Sequence, residues 1–286
     1  MLVIIGKEFE GWTAEYVGHR RALTLIWNDE IVAPRLIGQI IDWCLLKDKE
    51  IREMKWKGEI IAYGKETIVQ QVMPGMPSIC TPLGTVEFSL SVSNQSYLAT
   101  DYGRLPSGGW LYRYYYDSWD CELAICKVDV ELACDQAVEE CWGAVFRIKP
   151  KSGHRIDECN FTSLWKEGYN WTSCGSDTGE GLEAIEYKNQ TDQLHMGTQD
   201  GTLLMMRRNQ GDRIPKSFGK GMDVEAQGYI LNSGKGISVP MSQMESDEIC
   251  EIHFVIAWKR YVEENVSTWL AVDQFSKDIL RGAGLR

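Results

Sequence analysis

In the stretch Phe88-Ser89-Leu90-Ser91-Val92-Ser93 every second residue is apolar and every other one is a serine. A period of two gathers the apolar side chains on one face of an extended strand, so the segment reads as half-buried β structure. The pattern recurs. Ile252, Phe254, Ile256 and Trp258 alternate with His253, Val255, Ala257 and Lys259. Trp110 to Tyr116 is an aromatic strand, with Trp110, Tyr112, Tyr114 and Tyr116 on one face and Leu111, Arg113 and Tyr115 on the other. Ser267 to Val272 reads as one more strand after the polar turn Glu263-Glu264-Asn265, and Phe275 to Leu280 as a last helical turn or two. At 286 residues such a chain buries a core without needing disulfides or metals.

Helix is the minority component. After Asn28-Asp29-Glu30, Pro34 sits where a first helical turn tolerates it, and Leu36, Ile37, Ile40, Ile41, Cys44 and Leu45 follow at helical spacing. This predicts one amphipathic N-terminal helix, preceded by a strand over 21–27 and followed by two strands between Lys55 and Val72. The Pro- and Gly-rich segment 73–84 is the best linker. The expected fold class is therefore α+β and β-rich, with antiparallel sheets. Its expected divisions are an N-terminal α/β portion over 1–80, a first β unit over 81–181 and a second over 182–286, or one compact domain.

The two β units rest on an internal echo. A strand near Phe88 leads to Asn94-Gln95-Ser96 and then to Asp101-Tyr102-Gly103, while a strand near Ile185 leads to Asn189-Gln190-Thr191 and then to Asp200-Gly201. The offset of 95 residues suits duplication of a β unit. Asn and Gly turns also resemble one another through turn chemistry alone.

Composition excludes several functions. The net charge of −11 argues against nucleic acid, because phosphate affinity needs clustered Lys and Arg. No apolar run reaches the roughly 20 residues of a membrane-spanning helix, and residues 1–8 lack the pattern of a signal peptide. These features predict a soluble, cytoplasmic protein that binds neither nucleic acid nor membrane. Secretion is the minority reading. Five of the eight asparagines (Asn94, Asn160, Asn170, Asn189 and Asn265) open N-x-[ST] sequons, and Cys159 and Cys174 bracket two of them in what would be a disulfide-closed loop. Against it stand an odd count of nine cysteines and the placement of Cys126 and Cys134 at the parity of Val128, Val130 and Leu132, which makes them small buried hydrophobes. No cofactor is called for, and no cysteine spacing fits a metal site.

Catalytic signals are sparse. There are four histidines, no Gly-x-Ser-x-Gly elbow and no phosphate-binding glycine loop in Gly175 to Gly181, which reads as a mobile surface loop. His195, close to Asp200, is the best catalytic candidate, with Asp101 or Glu87 as further carboxylates in a crevice between the β units. The stronger lead is the aromatic and acidic stretch. Trp110, Tyr112, Tyr114, Tyr116 and Trp119 crowd together with Asp117, Asp120 and Glu122, at the start of a segment 117–141 carrying eight acids against Lys127 alone. Polar-tipped aromatics beside acids suit an interface with a basic protein. The leading expectation is a non-enzymatic binding protein, of inhibitor or immunity type, engaging a protein partner through these eight residues. The alternatives are a hydrolase or cyclase-like enzyme using His195 and Asp200, and a secreted carbohydrate-binding glycoprotein.

Overall fold

The computed structural model describes residues 12–16, 23–27, 30–31, 76–105, 107–132, 136–179, 181–220, 230–263 and 265–285. The chain divides into two compact units, Met1–Glu66 and Thr67–Arg286. In the first, β1 (Trp12–Tyr16), β2 (Leu23–Trp27) and β3 (Glu30–Ile31) form an antiparallel sheet in that order. The strand expected over 21–27 is β2. The helix expected from Pro34, the two strands expected between Lys55 and Val72, and Cys134 lie outside the described residues.

The second unit is β-rich and antiparallel, as the alternating segments require. Its strands are β4 (Ser78–Thr81), β5 (Gly84–Val92), β6 (Gln95–Tyr97), β7 (Asp101–Arg104), β8 (Trp110–Tyr115), β9 (Trp119–Lys127) and β10 (Glu140–Pro150). They continue as β11 (Cys159–Trp165), β12 (Ser173–Ser176), β13 (Leu182–Lys188), β14 (Asp192–Gln199), β15 (Leu231–Ser233), β16 (Gly236–Met241) and β17 (Cys250–Arg260). The helices are α1 (Gly201–Asn209), α2 (Ser267–Val272) and α3 (Ser276–Gly282). Eight strands make the larger sheet in the order β12-β13-β14-β17-β10-β9-β8-β7. The smaller sheet runs β15-β16-β11-β5-β4, with β6 also paired to β5.

The two sheets pack face to face through the alternating apolar residues. Phe88 and Phe161 of the smaller sheet meet Phe254 and Phe146 of the larger, with ring centroids 6.3 Å and 5.3 Å apart. Cys121, Cys159 and Cys250 are buried in this shared core. Strands from 81–181 and from 182–286 join in both sheets: β11 pairs with β16 in the smaller, and β12 with β13 and β10 with β17 in the larger.

The two echoing turns differ in place and physics. Ser93 and Asn94, with φ of 49° and 60°, close the β5–β6 hairpin in the smaller sheet as a two-residue turn. Asn189 turns β13 into β14 in the larger sheet, where its side-chain oxygen accepts hydrogen bonds from the backbone N–H groups of Thr191 (2.9 Å) and Asp192 (2.8 Å). At the end of β14, where the corresponding acid and glycine Asp200-Gly201 stand, the chain enters helix α1. Asp200 caps it, accepting from the Leu203 N–H at 2.7 Å.

Ser267 to Val272, expected as a strand, is helix α2. Both neighbours of β17 are already occupied, by β14 and β10, so the chain leaving it has no ladder to join. It crosses the outer face of the larger sheet as two short helices. Thr268, Ala271 and Val272 face the sheet at helical spacing, and Gly143 and Gly197 leave the room they need. A Cβ on Gly143 would lie 2.4 Å from Ile279, and one on Gly197 would lie 3.0 Å from Val272. The loop expected to be closed by a disulfide is open: Cys159 and Cys174 carry free thiols, the first in the core and the second exposed on β12. Among the described residues no helix is long and apolar enough to cross a membrane.

Candidate functional site

The alternation of β8 decides the fate of its aromatics. Trp110, Tyr112 and Tyr114 all face the smaller sheet, but depth within the sandwich separates them. Tyr114 and, at the start of β9, Trp119 are core residues, 1% and 2% exposed. Tyr116 is half-buried against Tyr97 and Trp119, with centroids 4.5 Å and 4.7 Å away, and its hydroxyl donates to the Leu98 carbonyl at 2.7 Å. Asp117 is exposed in the turn that follows. Asp120 and Glu122 share a parity that puts them on the opposite, outer face. The eight expected binding residues are thus divided among the core, a turn and two faces.

Trp110 and Tyr112 remain half-exposed, and β7 adds a ring to them that the sequence reading left out. Register places Tyr102 beside Tyr112 and Arg104 beside Trp110. Tyr102 lies 6.0 Å from Tyr112 at an interplanar angle of 21° and 5.9 Å from Trp110, while the Arg104 guanidinium sits 5.3 Å from the Trp110 ring centre. The result is a shelf of three rings, Tyr102 packed on both of the others, with a cation above one end, at the β7 edge of the larger sheet. Parity groups Tyr102 with Arg104 on one face of β7 and Trp110 with Tyr112 on one face of β8, but only the register of the two strands brings the pairs together.

Beside the shelf, β9 ends at Lys127 and the acidic connection to β10 begins. Asp129, Glu131 and Glu139 are exposed there, and Asp135 lies outside the described residues. At its far end the half-buried Trp142 indole donates to Glu140 at 2.7 Å, and Lys127 reaches the same carboxylate at 3.3 Å. Those two contacts, the indole first, hold the Glu140 carboxyl below its ordinary range.

The outer face of the larger sheet carries a different chemistry. Across five strands the register aligns Glu251, Arg147, Glu122, Arg113 and Asp101, an unbroken alternation of sign. Glu251 accepts from Arg147 at 2.5 Å, Arg213 at 2.7 Å and the Ser276 hydroxyl at 2.5 Å. Burial pushes its carboxyl up, but the cations outweigh burial and hold it at about 2. Glu122 has the opposite balance. It is 7% exposed and its Oε1 has no hydrogen-bond partner among the described residues, so burial outweighs Arg113 and Arg147 and raises it to about 7. Arg113 itself pairs with Asp101 at 2.9 Å.

His195 lies on this outer face under α2. Its Nδ1 is 2.9 Å from the Thr268 hydroxyl and its Nε2 is 3.0 Å from Asp177. Burial lowers its pKa against the opposing pull of Asp177, so the neutral ring donates from Nε2 to the carboxylate and accepts from Thr268 at Nδ1. Hydroxyl, imidazole and carboxylate in line have the order of a nucleophilic triad. Access runs the wrong way: Thr268 is fully buried and only Asp177 reaches solvent. The arrangement fastens α2 and the Asp177 loop to the sheet. The Trp269 indole donates to the Asp177 carbonyl at 3.0 Å, which ties down the loop expected to be mobile. Asp200, occupied as a helix cap, makes no contact with His195. Glu87 faces away on the smaller sheet and pairs with Lys166 at 3.0 Å, so the residues expected in one crevice do not converge. Among the described residues no group of three or more His, Cys, Asp and Glu side chains is placed to hold a metal ion.

No known family model matches the chain, and no curated protein matches it. Among solved structures, a "putative kojibiose phosphorylase from human microbiome" is similar at 7% identity with a TM-score of 0.42, over 69% of this chain and 26% of that one. A bacterial glucoamylase complexed with acarbose is similar at 9% identity with a TM-score of 0.35, over 72% of this chain and 32% of its own. The chain therefore spans about a third or less of the proteins it resembles.

Proposed function

We propose that the 67–286 unit is a non-enzymatic binding module that engages a basic protein partner through the Tyr102, Trp110 and Tyr112 shelf and the acidic β9–β10 connection. One observation carries this reading: at a sheet edge Tyr102 packs on both Trp110 and Tyr112 while all three rings stay half-exposed, and the connection that leaves the neighbouring strand β9 exposes Asp129, Glu131 and Glu139. Rings already held by their neighbours lose little freedom on binding, which is why such residues anchor interfaces. The acids supply long-range attraction and choice of partner. A carbohydrate ligand is the second reading, favoured by the near-parallel faces of Tyr102 and Tyr112, on which a sugar ring can lie.

Tryptophan fluorescence titrations separate the two. A Lys- and Arg-rich peptide should bind, weaken steeply between low and high salt, and lose about tenfold or more in affinity in Trp110→Ala. Saturation by neutral oligosaccharides, insensitive to salt and equally dependent on Trp110, would favour the sugar. Silence towards both probes would remove the shelf as a binding surface.

A further inference from the structure

The outer face of the larger sheet is a groove filled by the chain's own segment 265–285, and every contact across it involves a side chain on at least one side. Thr268 meets His195 and Ser276 meets Glu251, while the thiols of Cys126 and Cys141 donate to the carbonyls of Ile279 and Ala271. Ile279 and Val272 occupy the spaces over Gly143 and Gly197. Among the described residues no backbone-to-backbone hydrogen bond joins this segment to the sheet, and the strand ladders beneath close without it. The connection from β17 runs through Tyr261, Val262, Glu263 and Val266, all exposed. The segment can therefore leave its groove without opening a sheet, which a strand of the sandwich cannot do.

We propose that the groove also accepts segment 265–285 of a second copy of this chain, so that two molecules exchange their straps reciprocally. The groove is shaped for this sequence: hydroxyls stand over His195 and Glu251, and apolar side chains over the two glycines. Exchange keeps every one of these contacts and changes only the path of the exposed connection, the condition under which swapped dimers cost little. The tethered strap competes at an effective concentration in the millimolar range for a short flexible linker, so the closed monomer prevails in dilute solution.

Complementation between two full-length variants tests the proposal. Gly143→Val blocks the groove but leaves its strap intact, and Ile279→Asp spoils the strap but leaves its groove intact. Each alone should be monomeric by light scattering. Mixed at about 50–100 µM, they should form a one-to-one complex of doubled mass, in which the sound strap fills the sound groove. If both fold and the mixture stays monomeric, the exchange does not occur. Should either fail to fold, wild-type chain refolded at high and low concentration decides: a dimer formed only at high concentration, and surviving dilution, supports exchange, while monomer at both overturns it.

Discussion

Glu122 is a carboxylate that the sheet holds between two arginines, its Oε1 without a partner among the described residues. Its folded-state pKa of about 7 lies above the ordinary carboxylate value, so between these limits the native state binds the proton more tightly than the unfolded chain. Its contribution to stability is complete in mild acid and is lost as pH rises through 7. Glu122→Gln should remove this decline, which amounts to on the order of 3 kcal/mol, so urea unfolding from pH 4.5 to 8 should show the variant gaining on wild type as pH rises. His253 works in the other direction. Burial, and then Arg207, lower it to about 4, so its contribution is present above its unfolded value and fades as acid approaches pH 4. A variant curve parallel to wild type across the neutral range would show that Glu122 does not titrate there.

At the scale of elements, turn chemistry explains the internal echo better than ancestry needs to. Asn94 is used chiefly for its backbone, because few residues accept φ near 60° beside another positive φ, its amide adding only an exposed hydrogen bond to Glu158. Asn189 is used for its side-chain oxygen, which closes the turn by accepting from Thr191 and Asp192. The two should respond differently to substitution. Replacing either by Ala should cost about 1 kcal/mol. Asn94→Gly should restore the loss because glycine takes the left-handed region freely, whereas Asn189→Gly should not. Equal rescue at both positions, measured by thermal unfolding, would mean that one physical cause serves both turns.

For the whole molecule, the core shared by the two sheets lies within the second unit, where inner-face residues of both sheets form one apolar cluster. A chain cut to residues 67–286 should therefore keep a β-type circular dichroism spectrum and unfold in one cooperative transition. Loss of either would mean that the sandwich depends on the first unit for its stability. The same layout separates two surfaces of different use. The rim of the larger sheet at β7 offers half-exposed rings, and its outer face, although polar, is closed by the strap.

Period-two alternation determined from the sequence alone that the chain after Met76 is mostly strand, and which side chains of Phe88 to Val92, Trp110 to Tyr116 and Ile252 to Trp258 share a face. Cys126 is buried as expected, but on the outer face beneath Ile279, and the alternation expected to follow it ends at once, since β9 stops at Lys127. Parity is local, and its reach stops there. It says which residues point the same way, but not how deep a strand sits in its sheet, so Tyr114 and Trp119 read as surface beside Trp110 while the structure buries them. It could not bring Tyr102 to Tyr112, because a cross-strand neighbour depends on register. Nor could it show that the polar row of His195, Glu251 and His253 is covered, since polar residues alternating with apolar ones ordinarily face water. That outcome was left to a late segment with no free strand edge to join, which folded as two short helices over the one sheet face whose glycines and polar partners could receive it.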